Sequence, residues 1–433
     1  MRSLRAYPGL LRAAAARPAP PRAARRALGT YVSGNWHISA RPTPPNKRAR
    51  GPGGAMAAAT PRALDKKKLA LKLKFEQPPR RHVVFEAGVG VEDEVNAESK
   101  FREGPQMRER RSWCQAVTTT GRGGAVAGRV LVLGGYSRES HPFCEILDPA
   151  KAVMDFREGH GGMDFRDGPN LLIGRSGCPT VAIDSHRSLI VGGIDVGATY
   201  LQDTDVLDLA LLTSTEGPAM RLPRAFPACA NVGGLRVLVA GGINRDAPLA
   251  STEMISFAGN EWTVEPGPEM RGPRYGATAF RMDEHRVLVC GGYNGVDNLN
   301  TTEILDLRSM EFAPGPSMSL PRAYCAAVAI DDGRFLVIGG RDTKKTKTNT
   351  TEVFSVADGK FYDGPAMRTR RSGCAAIRLD TVGGLQRIFI MGGANKNRLS
   401  TTELLDVDDI GDVGKQIGDI AEPEGDGITQ KAL

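Results

Sequence analysis

The sequence predicts an all-β fold in which six small antiparallel sheets surround a central channel, a β-propeller. Six apolar segments each run into a glycine pair, as in RVLVLGG and RFLVIGG, and successive pairs lie 58, 49, 50, 48 and 53 residues apart. Each interval also has room for four short strands, and a period near 50 with several strands per unit is typical of propellers. The pairs are Gly134-Gly135, Gly192-Gly193, Gly241-Gly242, Gly291-Gly292, Gly339-Gly340 and Gly392-Gly393.

Each unit opens with Gly-Pro-x-Met or a relative, first at Gly104, followed by an arginine. A strand of small residues, the strand that ends in the glycine pair, a strand of the TTEILDL type and a strand with an aromatic residue then follow. Branched and apolar runs separated by Gly, Pro, Asp and Asn predict sequential antiparallel strands. We call the six arginines the joint arginines: Arg111, Arg175, Arg224, Arg274, Arg322 and Arg371.

The glycine pairs are interpreted as strand ends at which no Cβ atom is tolerated. They do not predict a phosphate-binding loop, because strand follows strand and no helix begins there to hold an anion.

These motifs resemble kelch repeats. The resemblance rests on the six glycine pairs, on an aromatic about 20 residues later (Trp262 and Phe361), and on the Gly-Pro-x-Met-to-arginine joint, and it covers residues 101–407. Many kelch units carry a tyrosine in the strand after the glycines, whereas this chain has ILDL or VFSV there. The resemblance implies a six-bladed kelch-type propeller.

We expect three regions: a basic, largely disordered extension over residues 1–95, the propeller over 96–407, and an acidic tail over 408–433. Residues 401–407 lack a following outer strand, and residues 99–102 stand in the phase of one. We therefore predict that this N-terminal strand closes the ring beside residues 401–407. Residues 415–421 are the competing closing strand.

The N-terminal extension holds 17 Lys and Arg in its first 74 residues and one acid, Asp65. This composition fits an organelle transit peptide over residues 1–60, a disordered tail or a nuclear signal, and Met56 is an alternative start. The compartment is accordingly the cytoplasm or nucleus, or a mitochondrion or plastid if the transit peptide is real. The remainder has more acids than bases, so the propeller is not expected to bind nucleic acid.

The seven cysteines are interpreted as buried small residues in a reducing compartment, since four of them share one repeat position in different blades. No apolar stretch is long enough to span a membrane. We expect a monomeric propeller.

Repeated charges and unequal loops suggest different roles. Each joint arginine, and an acid in the third strand, recurs in every blade, which favours in-blade pairing over a ring of ligand-binding arginines. The acids are Glu145, Asp205, Glu253, Glu303, Glu352 and Glu403.

Candidate partner-binding residues lie in the loops after the glycine pairs and just beyond the joint arginines. One set is basic and predicts a sector, across blades 5, 6 and 1, for an acidic or phosphorylated protein segment or the chain's own acidic tail; a solvated charged loop is the alternative. The aromatic set is either a partner-anchoring rim or inner-strand packing. The basic set is Arg138, Arg341, Lys344, Lys345, Lys347, Lys396 and Arg398, and the aromatic set is Trp113, Tyr136, Phe226, Tyr275, Tyr293 and Tyr324.

Enzyme motifs are sparse. The sequence has no GxSxG or HExxH motif and no histidine cluster at metal-ligand spacing. We expect no catalytic residue, no metal and no cofactor. The predicted function is a non-enzymatic protein-interaction scaffold, and the alternative is a kelch-type sugar mutarotase acting in the channel.

Overall fold

A computed structural model of the chain describes residues 98–119, 128–148, 165–380 and 386–413, all within the compact unit Glu86–Leu433. The predicted disordered extension, the competing strand 415–421 and most of the predicted acidic tail lie outside the described residues. The described part forms six four-stranded antiparallel sheets, so the predicted six-bladed propeller is confirmed.

The strands follow the chain in order. The closing strand is β1 (Arg102–Glu103), and blade 1 contains β2 (Gln115–Thr118), β3 (Val130–Leu133), β4 (Phe143–Leu147) and β5 (Arg166–Asn170). Next to blade 2, β6 (Arg175–Ser176) pairs with β9 (Ile194–Asp195), and the blade itself contains β7 (Thr180–Ala182), β8 (Arg187–Val191), β10 (Thr204–Asp208) and β11 (Thr213–Glu216).

Blades 3 to 6 repeat this arrangement. Blade 3 contains β12 (Ala228–Gly233), β13 (Arg236–Ala240), β14 (Thr252–Ala258) and β15 (Glu261–Pro266), and blade 4 contains β16 (Thr278–Arg281), β17 (Arg286–Cys290), β18 (Thr302–Asp306) and β19 (Glu311–Pro314). Blade 5 contains β20 (Ala326–Ala329), β21 (Arg334–Ile338), β22 (Thr351–Ser355) and β23 (Lys360–Asp363). Blade 6 contains β24 (Ala375–Asp380), β25 (Gln386–Met391) and β26 (Thr402–Asp406), followed by a 3₁₀ helix, Val407–Ile410.

The second strand of each blade is buried on both faces because it lies between neighbouring blades. In β3 and β21 every residue is buried, whereas the outer strands β11 and β19 are mostly exposed. Apolar clusters therefore fill the spaces between adjacent sheets, as expected for strands that read as continuous apolar runs.

Both chain ends build blade 6, as predicted. Strand β1 pairs antiparallel with β26, with Arg102 opposite Leu404 and Glu103 opposite Glu403. Phe101 is fully buried in the core between blades 5 and 6, together with Ile410 of the 3₁₀ helix. The closing strand thus protects the edge of β26 and contributes a core side chain.

Blade 1 differs from the others in its outer strand. Strand β5 continues through Gly168 and Pro169, whereas the outer strands of blades 2 to 5 end just before the equivalent glycine. This blade spans the long 58-residue interval, although β5, with five residues, is shorter than the six-residue β15.

Candidate functional site

Each joint arginine is buried and bonded within its own blade. The guanidinium lies 2.6–2.9 Å from the acid of the third strand in all six blades. It also donates to the carbonyl oxygen of the first glycine of the pair, at 2.8–3.1 Å. All six arginines are at most 3% exposed, so the charge of each is compensated inside the fold rather than presented to solvent.

The backbone of the same arginine contacts the preceding blade. Its carbonyl oxygen accepts a hydrogen bond from the second glycine of that blade, as between Gly340 and Arg371 at 3.0 Å. A Cβ atom on the first glycine would lie only 2.3–2.6 Å from this oxygen in every blade. The first glycine of each pair therefore accepts a hydrogen bond from the joint arginine of its own blade. The second glycine donates one to the backbone of the joint arginine of the next blade.

The paired acid also holds the loop before the joint. The Glu352 carboxylate accepts the backbone amides of Ser319 and Leu320, at 2.7 and 3.4 Å. Equivalent amide bonds reach the glutamates of blades 1, 3, 4 and 6. The carboxylate thus fixes the loop, the arginine and the strand crossing together.

Blade 2 departs from this pattern because its acid is an aspartate. Asp205 pairs with Arg175 at 2.8 Å, but its second oxygen, Oδ2, is buried without a hydrogen-bond partner. Burial raises the pKa of Asp205 above its ordinary value, although Arg175 and the backbone amide of Leu172 oppose that shift. A side chain one methylene shorter cannot serve the arginine and the loop amides equally well.

A closed circle of backbone hydrogen bonds surrounds the propeller axis. It joins six residues, each two positions beyond a joint arginine, through N–H to carbonyl bonds of 2.6–3.2 Å. All six have a positive φ of 54–63°. In chain order the six residues alternate between aromatic residues and glycine: Trp113, Gly177, Phe226, Gly276, Tyr324 and Gly373.

The alternation follows from crowding at the axis. The rings of Trp113, Phe226 and Tyr324 come from blades 1, 3 and 5, and their centroids lie 5.2–6.0 Å apart. A Cβ atom on Gly373 would lie 2.5 Å from the Trp113 ring, and one on Gly177 would lie 2.4 Å from the Phe226 ring. The three aromatic side chains therefore close the central opening at this end.

The remaining aromatic candidates join the same cluster. Tyr275 packs against Tyr324 and Tyr293, with centroids 6.0 and 5.5 Å away, and Tyr136 lies 5.9 Å from Trp113. All are half-buried. These aromatic residues therefore pack against one another, as inner-strand packing would require. Their rings also remain partly exposed, as a partner-anchoring rim would require.

The cluster lies on the face that carries the joints and the loops after the glycine pairs. In a four-stranded meander, the turn between the second and third strands and the connection to the next blade emerge on the same side. We call this side the joint face. The loops after the glycine pairs are residues 136–142, 194–203, 243–251, 293–301, 341–350 and 394–401.

Three predicted basic residues stack on these aromatic rings. The Arg398 guanidinium lies 4.5 Å from the Tyr136 centroid, Arg341 lies 5.1 Å from Tyr324, and the Lys345 ammonium lies 6.0 Å from Tyr293. Such stacking orients the cations while leaving their charge available. Arg398 in blade 6 reaches blade 1, and Lys345 in blade 5 reaches blade 4, so loops from separate blades form one surface.

The other basic candidates lie on the same loops. Arg138, Lys344 and Lys396 are exposed, and Lys347 is half-buried. Burial, and then the charge of Arg341, hold the pKa of Lys347 below its ordinary value. Among the described residues, no aromatic ring lies under the charged group of Arg138, Lys344 or Lys347.

The joint face has two further cations that are not in the basic set predicted from the sequence. Arg110 and Arg370 immediately precede joint arginines and are exposed. The equivalent residues of blades 3, 4 and 5 are Pro223, Pro273 and Pro321. The signal was therefore present in the sequence, as a Pro-to-Arg difference in the units of blades 6 and 1.

The remaining reactive side chains do not form a site in the part of the chain that the structure describes. All seven cysteines are free, and burial raises the pKa of the Cys114 thiol to about 11 and that of Cys374 to about 12. No group of three His, Cys, Asp or Glu residues that could hold a metal ion occurs among the described residues. Within those residues, no helix has the length and apolar character needed to cross a bilayer.

Comparison with known proteins supports the repeat identified above. A family model described as the kelch motif matches residues 322–368, which run from the joint arginine of blade 5 to the start of the next joint. No curated protein matches the chain significantly.

Proposed function

The chain is a kelch-repeat β-propeller, and from this premise we propose that it is a protein-interaction module that binds an acidic segment of a partner protein on its joint face. The observation that carries the proposal is the stacking of Arg341, Lys345 and Arg398 on the aromatic cluster. Aromatic residues and arginine are the residue types that contribute most to binding at protein interfaces.

Charge on the joint face is unevenly distributed around the ring, which further supports this proposal. The loops and joints of blades 5, 6 and 1 contain most of its cations, and the equivalent segments of blades 2 to 4 are poorer in them. An acidic segment would be attracted to this sector and would exchange weakly bound counterions for fixed guanidinium and ammonium groups. The basic sector comprises Arg108, Arg110, Arg138, Arg341, Lys344, Lys345, Lys347, Arg368, Arg370, Lys396 and Arg398.

The state of the joint arginines favours binding over sugar chemistry in the channel. A mutarotase site would need arginine and glutamate groups free to contact a sugar. Here each joint arginine is buried against a carboxylate and a backbone carbonyl, as Arg322 is against Glu352 and Gly339. The aromatic cluster also covers the axis on the joint face.

The experiment compares a charge-reversed chain with a matched control. Lys344→Glu, Lys345→Glu and Lys347→Glu together remove the protruding charge of blade 5, and Lys360→Glu changes an exposed lysine in the outer strand of the same blade. Partners are captured by each purified chain and quantified by mass spectrometry. We expect the triple variant to lose the acidic partners that Lys360→Glu retains. An unchanged partner list would overturn the proposal, and loss only after phosphatase treatment of the lysate would identify a phosphorylated segment.

A further inference from the structure

At one of the six junctions between blades, three exposed positions on the joint face are all occupied by apolar residues. The other five junctions lack this combination. Phe143, at the start of β4, is 53% exposed, and Leu172 and Ile173, in the loop between blades 1 and 2, are 50% and 36% exposed. We call these three residues the apolar patch.

The repeat supplies the comparison that makes the patch unusual. The equivalents of Phe143 in the other blades are all polar: Asp203, Ser251, Thr301, Thr350 and Thr401. The equivalents of the Leu172-Ile173 pair are Arg108-Glu109, Arg221-Leu222, Arg271-Gly272, Ser319-Leu320 and Arg368-Thr369. The fold therefore tolerates polar residues at each of these positions, so the apolar side chains here are not needed to form a blade.

Backbone contacts bring together the two segments that carry the three residues. Phe143 is opposite Asn170 in the sheet, and the amide of Leu171 donates to the carbonyl oxygen of Pro142 at 2.8 Å. A Cβ atom on Gly174 would lie 3.0 Å from Pro142, so glycine permits the loop to approach this closely. Leu172 and Ile173 are thus held beside the segment that ends in Phe143.

The loop that carries the patch differs from its counterparts in its contact with the acid of the next blade. In the other five blades a glutamate accepts amide hydrogen bonds from the corresponding loop. Here the acid is Asp205, whose buried Oδ2 makes no hydrogen bond of normal geometry, although the backbone amide of Leu172 acts on the same carboxyl group and opposes the rise of its pKa.

The surroundings of the patch indicate the chemistry of its ligand. Blade 1 belongs to both the patch and the basic sector, with Arg138 in the loop that leads to Phe143 and Arg110 at the preceding joint. Arg108 is exposed and paired with Asp167 at 2.7 Å, and Glu139 is the acid at the loop tip. An apolar side chain bound to the patch would therefore have exposed positive charge next to it only on the side of blade 1.

We propose that the apolar patch binds a large apolar side chain of the same acidic segment that the basic sector binds. The partner segment would therefore carry acidic residues and, to one side of them, a Leu, Ile, Phe or Trp. This inference rests on the proposed function, which supplies the acidic segment. It adds a second anchor that discriminates among acidic sequences, since charge alone selects poorly between them.

The experiment selects peptides from a displayed library of random 16-residue sequences on three immobilised forms of the full chain. These are the unaltered chain, a Leu172→Ser/Ile173→Ser variant, and the Lys344→Glu/Lys345→Glu/Lys347→Glu variant. The unaltered chain should enrich peptides with acidic residues and an adjacent large apolar residue. The serine variant should keep the acidic preference and lose the apolar one, and the lysine variant should lose the acidic preference.

Affinity measurements on one synthetic enriched peptide then give the size of the effect. We expect Leu172→Ser/Ile173→Ser to weaken binding about tenfold or more. Leu211→Ser, at a 72% exposed leucine on the opposite face, is the matched control and should leave binding unchanged. Melting temperatures of all variants exclude unfolding as the cause.

The two proposals fail differently. Acidic enrichment without an apolar residue, or equal binding by the serine variant, overturns the apolar patch and leaves the proposed function standing. Enrichment without acidic residues, or no enrichment at all, overturns both.

Discussion

Asp205 shows how much one methylene group matters at a buried joint. Its five counterparts are glutamates that reach the joint arginine and the loop amides, whereas Asp205 leaves one buried oxygen without a partner. A buried acceptor without a hydrogen bond costs on the order of 1–3 kcal/mol. Blade 2 therefore contains a local weakness that is the result of residue choice rather than of topology.

Asp205→Glu should stabilise the protein. The longer side chain can accept the loop amides while it keeps the pairing with Arg175, and we expect a gain of about 1 kcal/mol in the free energy of unfolding. Urea denaturation measures it. The reciprocal change, Glu303→Asp in blade 4, should destabilise the chain by a similar amount; if both changes have the same sign, the explanation is wrong.

The sequence contained the residue-scale pattern only in part. The repeat register identified every joint arginine and its acid, and it made in-blade pairing the favoured expectation. It did not bring Trp113, Phe226 and Tyr324 together, because their contact crosses the ring between non-adjacent blades. Positions along a repeat are visible in a sequence, but distances across the axis depend on closure of the whole ring.

At the scale of elements, the turns between the first and second strands of blades 2, 4 and 5 share one arrangement around an aspartate. Asp184, Asp283 and Asp331 each accept backbone amides and pair with the arginine three residues later. Burial acts to raise the pKa of each carboxyl group, but the amides and the arginine outweigh it and hold the pKa below its ordinary value.

These turns predict a specific acid sensitivity. Because the folded-state pKa values are lowered, the stabilisation is complete above the ordinary pKa of about 3.8 and is lost as the pH falls below it. Unfolding free energies measured between pH 7 and pH 3 should therefore fall less steeply for Asp184→Asn/Asp283→Asn/Asp331→Asn than for the unaltered chain. Parallel pH profiles would contradict this assignment.

The closing strand makes a second prediction at this scale. A truncation variant that begins at residue 96 should keep the stability of the propeller, because β1 and Phe101 remain. A variant that begins at residue 111 exposes the edge of β26 and removes a buried phenylalanine, which costs about 3–5 kcal/mol for the side chain alone. Thermal denaturation compares the two, and equal melting temperatures would refute closure by β1.

Closure was predictable from the phase of the repeat, since residues 99–102 occupy the position of the missing outer strand. The 3₁₀ helix Val407–Ile410 was not foreseen, because its burial depends on contacts with blade 5 such as the bond from Arg334 to the Gly411 carbonyl at 2.7 Å.

For the whole molecule, the joints connect every blade to the next, so the ring should unfold as one unit. Arg322→Ala would leave Glu352 buried without its cation and remove the donors to two backbone carbonyls. We expect a loss of about 3–5 kcal/mol. In calorimetry the variant should melt at a lower temperature in a single transition. A separate early transition, with the remaining blades stable, would show that the blades unfold independently.

The alternation of aromatic residue and glycine around the axis also restricts how this protein can change in size. Each aromatic ring occupies space that the neighbouring glycines leave open. The pattern around the circle therefore repeats every two blades. Inserting or deleting a single blade would set two rings, or two glycines, side by side at the seam. Viable enlargement or contraction of this propeller must therefore proceed by two blades at a time, or rebuild its centre.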